Sequence, residues 1–125
     1  MYIECTDDGV GRVGWVTFSR TGRSAYYRDI RLARFTGRDP YSRFKENYRD
    51  TETGAWYWLS GCKRAGGDRL YPGYIDIDAD AREEYWVKIR QCPARRDESR
   101  IHCSGKYGQK RGPRKRVASE YKNRP

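Results

Sequence analysis

The sequence predicts a mainly β domain: a small, strongly bent antiparallel sheet or partial barrel with one C-terminal helix and a disordered basic tail. Three observations carry this expectation. Runs of β-forming residues fold back about short Gly-containing turns, a single helical repeat follows a good N-cap residue, and the charge balance changes abruptly after residue 92.

The charge shift sets the domain organisation. The chain has 125 residues and a net charge of +10. Residues 1–92 hold 16 Lys/Arg against 14 Asp/Glu, and residues 93–125 hold 11 against 3, so the body is near neutral and the remainder carries +8. The tail from Pro93 has no apolar periodicity and contains Lys110-Arg111-Gly112-Pro113-Arg114-Lys115-Arg116. Such a segment cannot bury enough apolar surface to offset its ordering entropy, and it reads as disordered. The aromatic share of 14% argues that the body, residues 1–92, folds. No apolar run approaches the ~18 residues of a membrane span. The polar, acidic start Met1-Tyr2-Ile3-Glu4-Cys5-Thr6-Asp7-Asp8 does not read as a signal peptide, so a cytoplasmic, non-membrane protein is expected.

Along the body, Val13 to Ser19 reads as a strand and Ser24 to Asp29 as its partner, joined by Arg20-Thr21-Gly22-Arg23. With Thr21-Gly22 as a two-residue loop, Phe18 faces Ala25 and Val16 faces Tyr27 on a core side. Trp15, Thr17, Tyr26 and Arg28 then share the other side, suited to packing or to a ligand. A second hairpin joins Glu46–Asp50 to Ala55–Gly61 through Thr51-Glu52-Thr53-Gly54. Leu70 to Ile77 adds a strand interrupted at Pro72-Gly73. Asp80 with Glu83 forms a capping box ahead of a helix over about residues 81–91, in which Ala81, Tyr85, Trp86 and Ile89 recur at helical spacing before Pro93.

The chemistry-bearing residues are sparse. The single histidine, His102, falls in the tail, which removes a histidine base or a His-activated nucleophile from the expected body. Cys5, Cys62, Cys92 and Cys103 show no metal-ligand spacing. Asp76-Ile77-Asp78-Ala79-Asp80 resembles the start of a calcium loop, yet Ala81 and Val87 stand where the loop needs Gly and Glu, so strand-end acids and a helix cap explain it. Asp68 and Arg69 lie in a Gly66-Gly67 loop. They read as a surface turn in which Asp68 bonds backbone amides and pairs with Arg69, the alternative being a carboxylate base beside a cation.

The aromatic set Trp15, Tyr26, Tyr48, Trp56, Tyr57, Trp58, Tyr71 and Tyr74 is interleaved with basic residues, which suits stacking beside a cationic groove, although more than half of these rings are expected in the core. Thr17-Phe18-Ser19-Arg20-Thr21-Gly22, Thr53-Gly54-Ala55-Trp56-Tyr57-Trp58-Leu59-Ser60-Gly61 and Gly67-Asp68-Arg69-Leu70-Tyr71 together resemble a family of small bacterial proteins of unknown function, commonly labelled 1-deoxy-D-xylulose-5-phosphate synthase. The resemblance covers roughly residues 13–92 and implies a common fold. A thiamine-diphosphate enzyme requires large α/β domains and a metal-diphosphate motif beginning Gly-Asp-Gly, where this chain has Gly67-Asp68-Arg69, so the expectation is a non-enzymatic protein without a cofactor.

The function expected is nucleic-acid association. Lys110, Arg111, Arg114, Lys115 and Arg116 would contact phosphates of DNA or RNA, and Trp15, Tyr26 and Trp56 would stack on bases. The alternative is a protein-interaction module whose aromatic cluster recognises a partner chain or a cationic ligand, with the tail incidental.

Overall fold

The computed structural model describes residues 1–35 and 46–106. Lys110, Arg111, Arg114, Lys115 and Arg116 lie outside the described residues. The described chain forms nine strands: β1 Tyr2–Cys5, β2 Val10–Val13, β3 Thr17–Phe18, β4 Ser24–Tyr27, β5 Ile30–Arg34, β6 Tyr48–Asp50, β7 Trp56–Ser60, β8 Gly73–Ile77 and β9 Arg100–Cys103. They make one sheet in the order β3-β4-β5-β6-β7-β1-β2-β8-β9.

Local turn chemistry sets the two hairpins read from the sequence. Gly22 adopts φ 76° in the first turn, and the register pairs Phe18 with Ala25 as expected, but the expected Val13–Ser19 strand is broken between β2 and β3 and Phe18 is exposed rather than on a core side. In the second, Asp50 Oδ1 accepts the amides of Glu52 and Thr53, and Tyr48 pairs with Tyr57. Between them, β4 and β5 turn at Arg28-Asp29, pairing Tyr27 with Ile30.

Non-local pairing builds the rest. The β1 strand lies between β2 and β7, and all four of its residues are buried. Its alternation divides the core in two. Tyr2 joins Val13, Ile75, Ile77, Ala81, Tyr85 and Trp86 on one face, and Ile3 joins Ala25, Tyr27, Leu32, Tyr48 and Leu59 on the other. The β2–β8 pair is parallel, so the sheet is mixed rather than wholly antiparallel. Five strands separate β4 from β8 in the sheet order, yet the Tyr27 hydroxyl donates to Asp78 Oδ2 at 2.7 Å just beyond β8. The sheet therefore curls into a half-barrel, with the Ile3 cluster inside the curl. Gly14 sits where the two ends meet, and a Cβ there would lie 2.5 Å from Tyr27 Cε1.

The helical segment differs from the expectation in two respects. A 3-10 turn at Ala79–Ala81 leads into a π-helix at Glu83–Ile89, and neither has a side-chain cap, so the Asp80/Glu83 capping box does not form. The wide π turn, closed by Arg90 N–H to Tyr85 O at 2.8 Å, lets the adjacent Tyr85 and Trp86 both bury fully against β2 and β8. Burial of two consecutive large rings outweighs regular α geometry.

The folded part also runs past residue 92. Cys92 leads into a 3-10 turn at Pro93–Arg95, and β9 pairs antiparallel with β8, placing Ile101 and Cys103 against the Trp86 cluster. The expected tail boundary at 92 thus moves beyond Cys103, because Ile101 and Cys103 complete a core that the body alone leaves open. His102 is consequently a sheet residue, edge-on to Tyr74 at 5.2 Å, and the exclusion of histidine chemistry from the body loses its ground.

Candidate functional site

The strand β8 alternates cleanly. Ile75 and Ile77 face the Trp86 cluster, while Tyr74, Asp76 and Asp78 face the inner side of the curl. In register across that inner side run Ile3 of β1, Arg12 of β2, Asp76 of β8 and Arg100 of β9. The interior is apolar at Ile3 and becomes charged toward β9.

A cleft of about 430 Å³ opens over this charged row, lined by Arg12, Arg28, Arg82 and Arg100 with Asp76 and Asp78. Its volume lies within the ~300–1,000 Å³ of ligand sites. The two carboxylates orient the guanidinium groups. Arg100 donates to Asp76 from Nε at 2.7 Å and from Nη2 at 3.3 Å, and Arg28 donates to Asp78 from Nη2. Arg82 donates Nε–H to Ile77 O at 3.1 Å. A guanidinium carries five N–H donors. Arg12 and the terminal nitrogens of Arg82 make no hydrogen bond among the described residues, so the cleft keeps donors for an anion while Arg28, Arg82 and Arg100 are held in place. The Arg100 bonds hold the Asp76 carboxyl below the usual carboxylate range, so it stays ionised.

Arg28 reaches this cleft by an unusual backbone. Its φ is 53°, in the left-handed region that non-glycine residues seldom adopt. In a straight strand Arg28 would share a side with Tyr26, away from Asp78. The left-handed turn instead sets its guanidinium over the Tyr27 ring at 5.2 Å and onto Asp78.

Two spaces adjoin the cleft. One of about 410 Å³ shares Arg28, Asp78 and Ala79 and is bounded by Trp15, whose indole Nε1–H donates to Asp80 O at 2.9 Å. The other, about 100 Å³, lies deeper between Ile3, Val10, Ile30 and Tyr57 and opens toward Arg12 and Tyr27. Burial pushes the Cys5 thiol in its wall up, which keeps it protonated and unreactive at neutral pH.

Comparison with family models, with curated proteins and with solved structures gives no match. Geometry and charge therefore carry the functional reading.

Of the aromatic residues expected to stack, the structure brings only Trp15 to the cleft. It is 54% exposed. Tyr26 is exposed but lies on the opposite side of β4 from Tyr27, facing away. Trp56 is buried, with Arg49 over its ring at 4.5 Å and Phe35 edge-on at 5.2 Å, so it presents no open face to a base. Tyr48 is also buried, and Tyr57 and Trp58 are half-buried against the two clusters, so four of the eight rings, half rather than more than half, pack in or against the core. Of the basic residues interleaved with these rings in the sequence (Arg20, Arg28, Arg49, Lys63, Arg64 and Arg69), only Arg28 lines the cleft. Arg12, Arg82 and Arg100 carry no local signal, because only the β2–β8–β9 pairing and the Arg82 bond to Ile77 O bring them together.

Asp68 and Arg69 are buried rather than a surface turn, and they do not pair with each other. Asp68 accepts the Lys63 amide at 3.0 Å, as expected, while its Oδ2 has no hydrogen bond; burial, partly offset by the Lys63 amide, pushes its carboxyl up. Arg69 turns instead to the buried Glu4, 3.7 Å away. These residues do not fit a metal-diphosphate site. Among the described residues no group of three His, Cys, Asp or Glu could hold a metal ion.

Proposed function

We propose that this domain is a non-enzymatic nucleic-acid-binding protein whose arginine cleft takes backbone phosphates. The observation that supports the reading most strongly is the convergence of Arg12, Arg28, Arg82 and Arg100 on one cleft with an exposed Trp15 at its lip. Planar guanidinium groups bind phosphate bidentately, and a carboxylate behind each of two arginines restricts its rotamers before the ligand arrives. Lys110, Arg111, Arg114, Lys115 and Arg116 add phosphate contacts that do not depend on sequence.

The test is equilibrium binding of the full chain to fluorescently labelled DNA and RNA over a range of salt concentrations. Affinity is expected to fall linearly on a log–log plot. Replacing Arg12 or Arg100 by Ala should each reduce the slope by about 0.7–0.9, the value for one lost phosphate contact. Negligible binding at low salt, or slopes unchanged in both variants, would remove this function from the cleft.

A further inference from the structure

We infer, building on the nucleic-acid reading above, that the ligand is a single strand whose unpaired bases stack on Trp15, beside the cleft at Asp78, and on Tyr74, beyond Arg100, with the intervening phosphates on the arginines. Trp15 and Tyr74 are 54% and 56% exposed, the highest among the exposed large apolar and aromatic side chains of the described residues. The other two, Phe18 and Tyr26, are 44% and 41% exposed and belong to the β3–β4 end of the sheet. An exposed aromatic ring forfeits the burial free energy that its size offers, so two of them beside one cationic cleft need a reason beyond packing.

Both rings are anchored rather than loose. The Trp15 indole is fixed to Asp80 O, and Tyr74 is held by a T-shaped contact with His102 and by the Arg100 guanidinium, each 5.2 Å from its centre, while more than half of it stays exposed to a base. Arg100 joins Tyr74 to the cleft, and Arg28 with Asp78 joins Trp15 to it. Tyr74 and Asp80 are six residues apart, a separation of at most about 20 Å along an extended chain. That span suits a few nucleotides with one or two phosphates over the cleft. Bases within a duplex are stacked on one another and offer neither ring a face, so a duplex gains only the arginine contacts. Stacking on aromatic side chains accepts any base, which makes the expected preference one for strandedness rather than sequence.

The experiment compares three labelled probes by fluorescence anisotropy with the full chain: a single-stranded oligonucleotide, one of equal length with abasic residues, and a hairpin duplex. Trp15→Ala and Tyr74→Ala should each weaken single-strand binding by about 5- to 150-fold, the effect of removing one stacking ring. Neither should change abasic binding, and Trp15→Phe should restore most of the loss. A duplex bound as tightly as the single strand would overturn the inference. So would abasic and base-bearing strands bound alike with both alanine variants unchanged, although that result leaves the phosphate cleft standing. Absence of binding to every probe at low salt would overturn the inference together with the nucleic-acid reading.

Discussion

The Arg69 side chain ties its own segment, residues 69–74, to the distant residues 4–9, and its removal should be the most damaging single substitution in the domain. Its Nε donates to Tyr71 O at 2.6 Å, Nη1 to Tyr74 O at 3.1 Å, and Nη2 to Gly9 O at 3.0 Å and Pro72 O at 3.4 Å. The same guanidinium lies 3.7 Å from Glu4, whose Oε1 accepts the Tyr2 hydroxyl and the Leu70 amide. Gly11 and Gly73 make room for it, since a Cβ at either position would come within 3.0 Å of its terminal atoms. In Arg69→Met the apolar bulk is largely kept, while Glu4 is left as a buried charge without its cation and several carbonyls lose their donor. Breaking a buried pair from one side costs about 3–5 kcal/mol, a large part of the ~5–15 kcal/mol that holds a domain folded. Urea denaturation followed by circular dichroism measures it. The double variant Glu4→Gln/Arg69→Met should recover a substantial part of the loss, because the uncompensated charge is gone. A single variant within about 1 kcal/mol of the parent, on the scale of an ordinary surface change, would refute the claim that this pair holds β1 to the Gly66–Gly73 loop.

Other outcomes follow from the same geometry. Arg28→Gly should leave stability unchanged or slightly raised, since relief of the left-handed strain (~1–2 kcal/mol) exceeds the ~0–1 kcal/mol of an exposed ion pair. It should nevertheless weaken nucleic-acid binding, and a joint loss of stability and affinity would contradict the reading of Arg28 as re-aimed for a ligand. Asp68 has a folded-state pKa above its unfolded value, so its protonated form stabilises the fold at low pH, and that contribution is lost as pH rises from about 4 through the raised value. Asp68→Asn cannot titrate, so its stability relative to the parent should improve across that window. Parallel denaturation profiles from pH 3.5 to 7 would contradict the burial of an ionised Asp68. Gly14→Ala should destabilise by forcing apart Tyr27 and Asp78 where the half-barrel ends meet, measured as a lowered melting temperature with a loosened Tyr27 ring.

What was legible in the sequence is what local chemistry decides. The Gly22 turn and the Asp50-Thr51-Glu52-Thr53-Gly54 turn carry their own hydrogen bonds, so both hairpins and the Phe18–Ala25 register could be read from composition. The strands that place the site could not. In β1, Glu4 makes the segment look solvent-facing, and it is buried because Arg69, 65 residues later, meets it. In β9, Arg-Ile-His-Cys sits in a charged stretch, and its apolar side is apparent only once Ile101 and Cys103 face the Trp86 cluster. The helix was legible in place and burial but not in winding, since the π turn answers to two neighbouring rings needing one core. The candidate site divides the same way. Trp15 and Arg28 flank the first hairpin and Tyr74 belongs to the aromatic set, all apparent in the sequence, whereas Arg12, Arg82 and Arg100 converge only through the parallel β2–β8 pair and the β9 edge.

The measurement that bears most directly on the arginine cleft is NMR titration of the isotopically labelled full chain with a short single-stranded oligonucleotide. The account predicts that the side-chain Nε–H signals of Arg12, Arg28, Arg82 and Arg100 and the Trp15 indole N–H shift together and saturate at one stoichiometry. Shifts confined to residues 107–125, with those five signals unmoved, would contradict it.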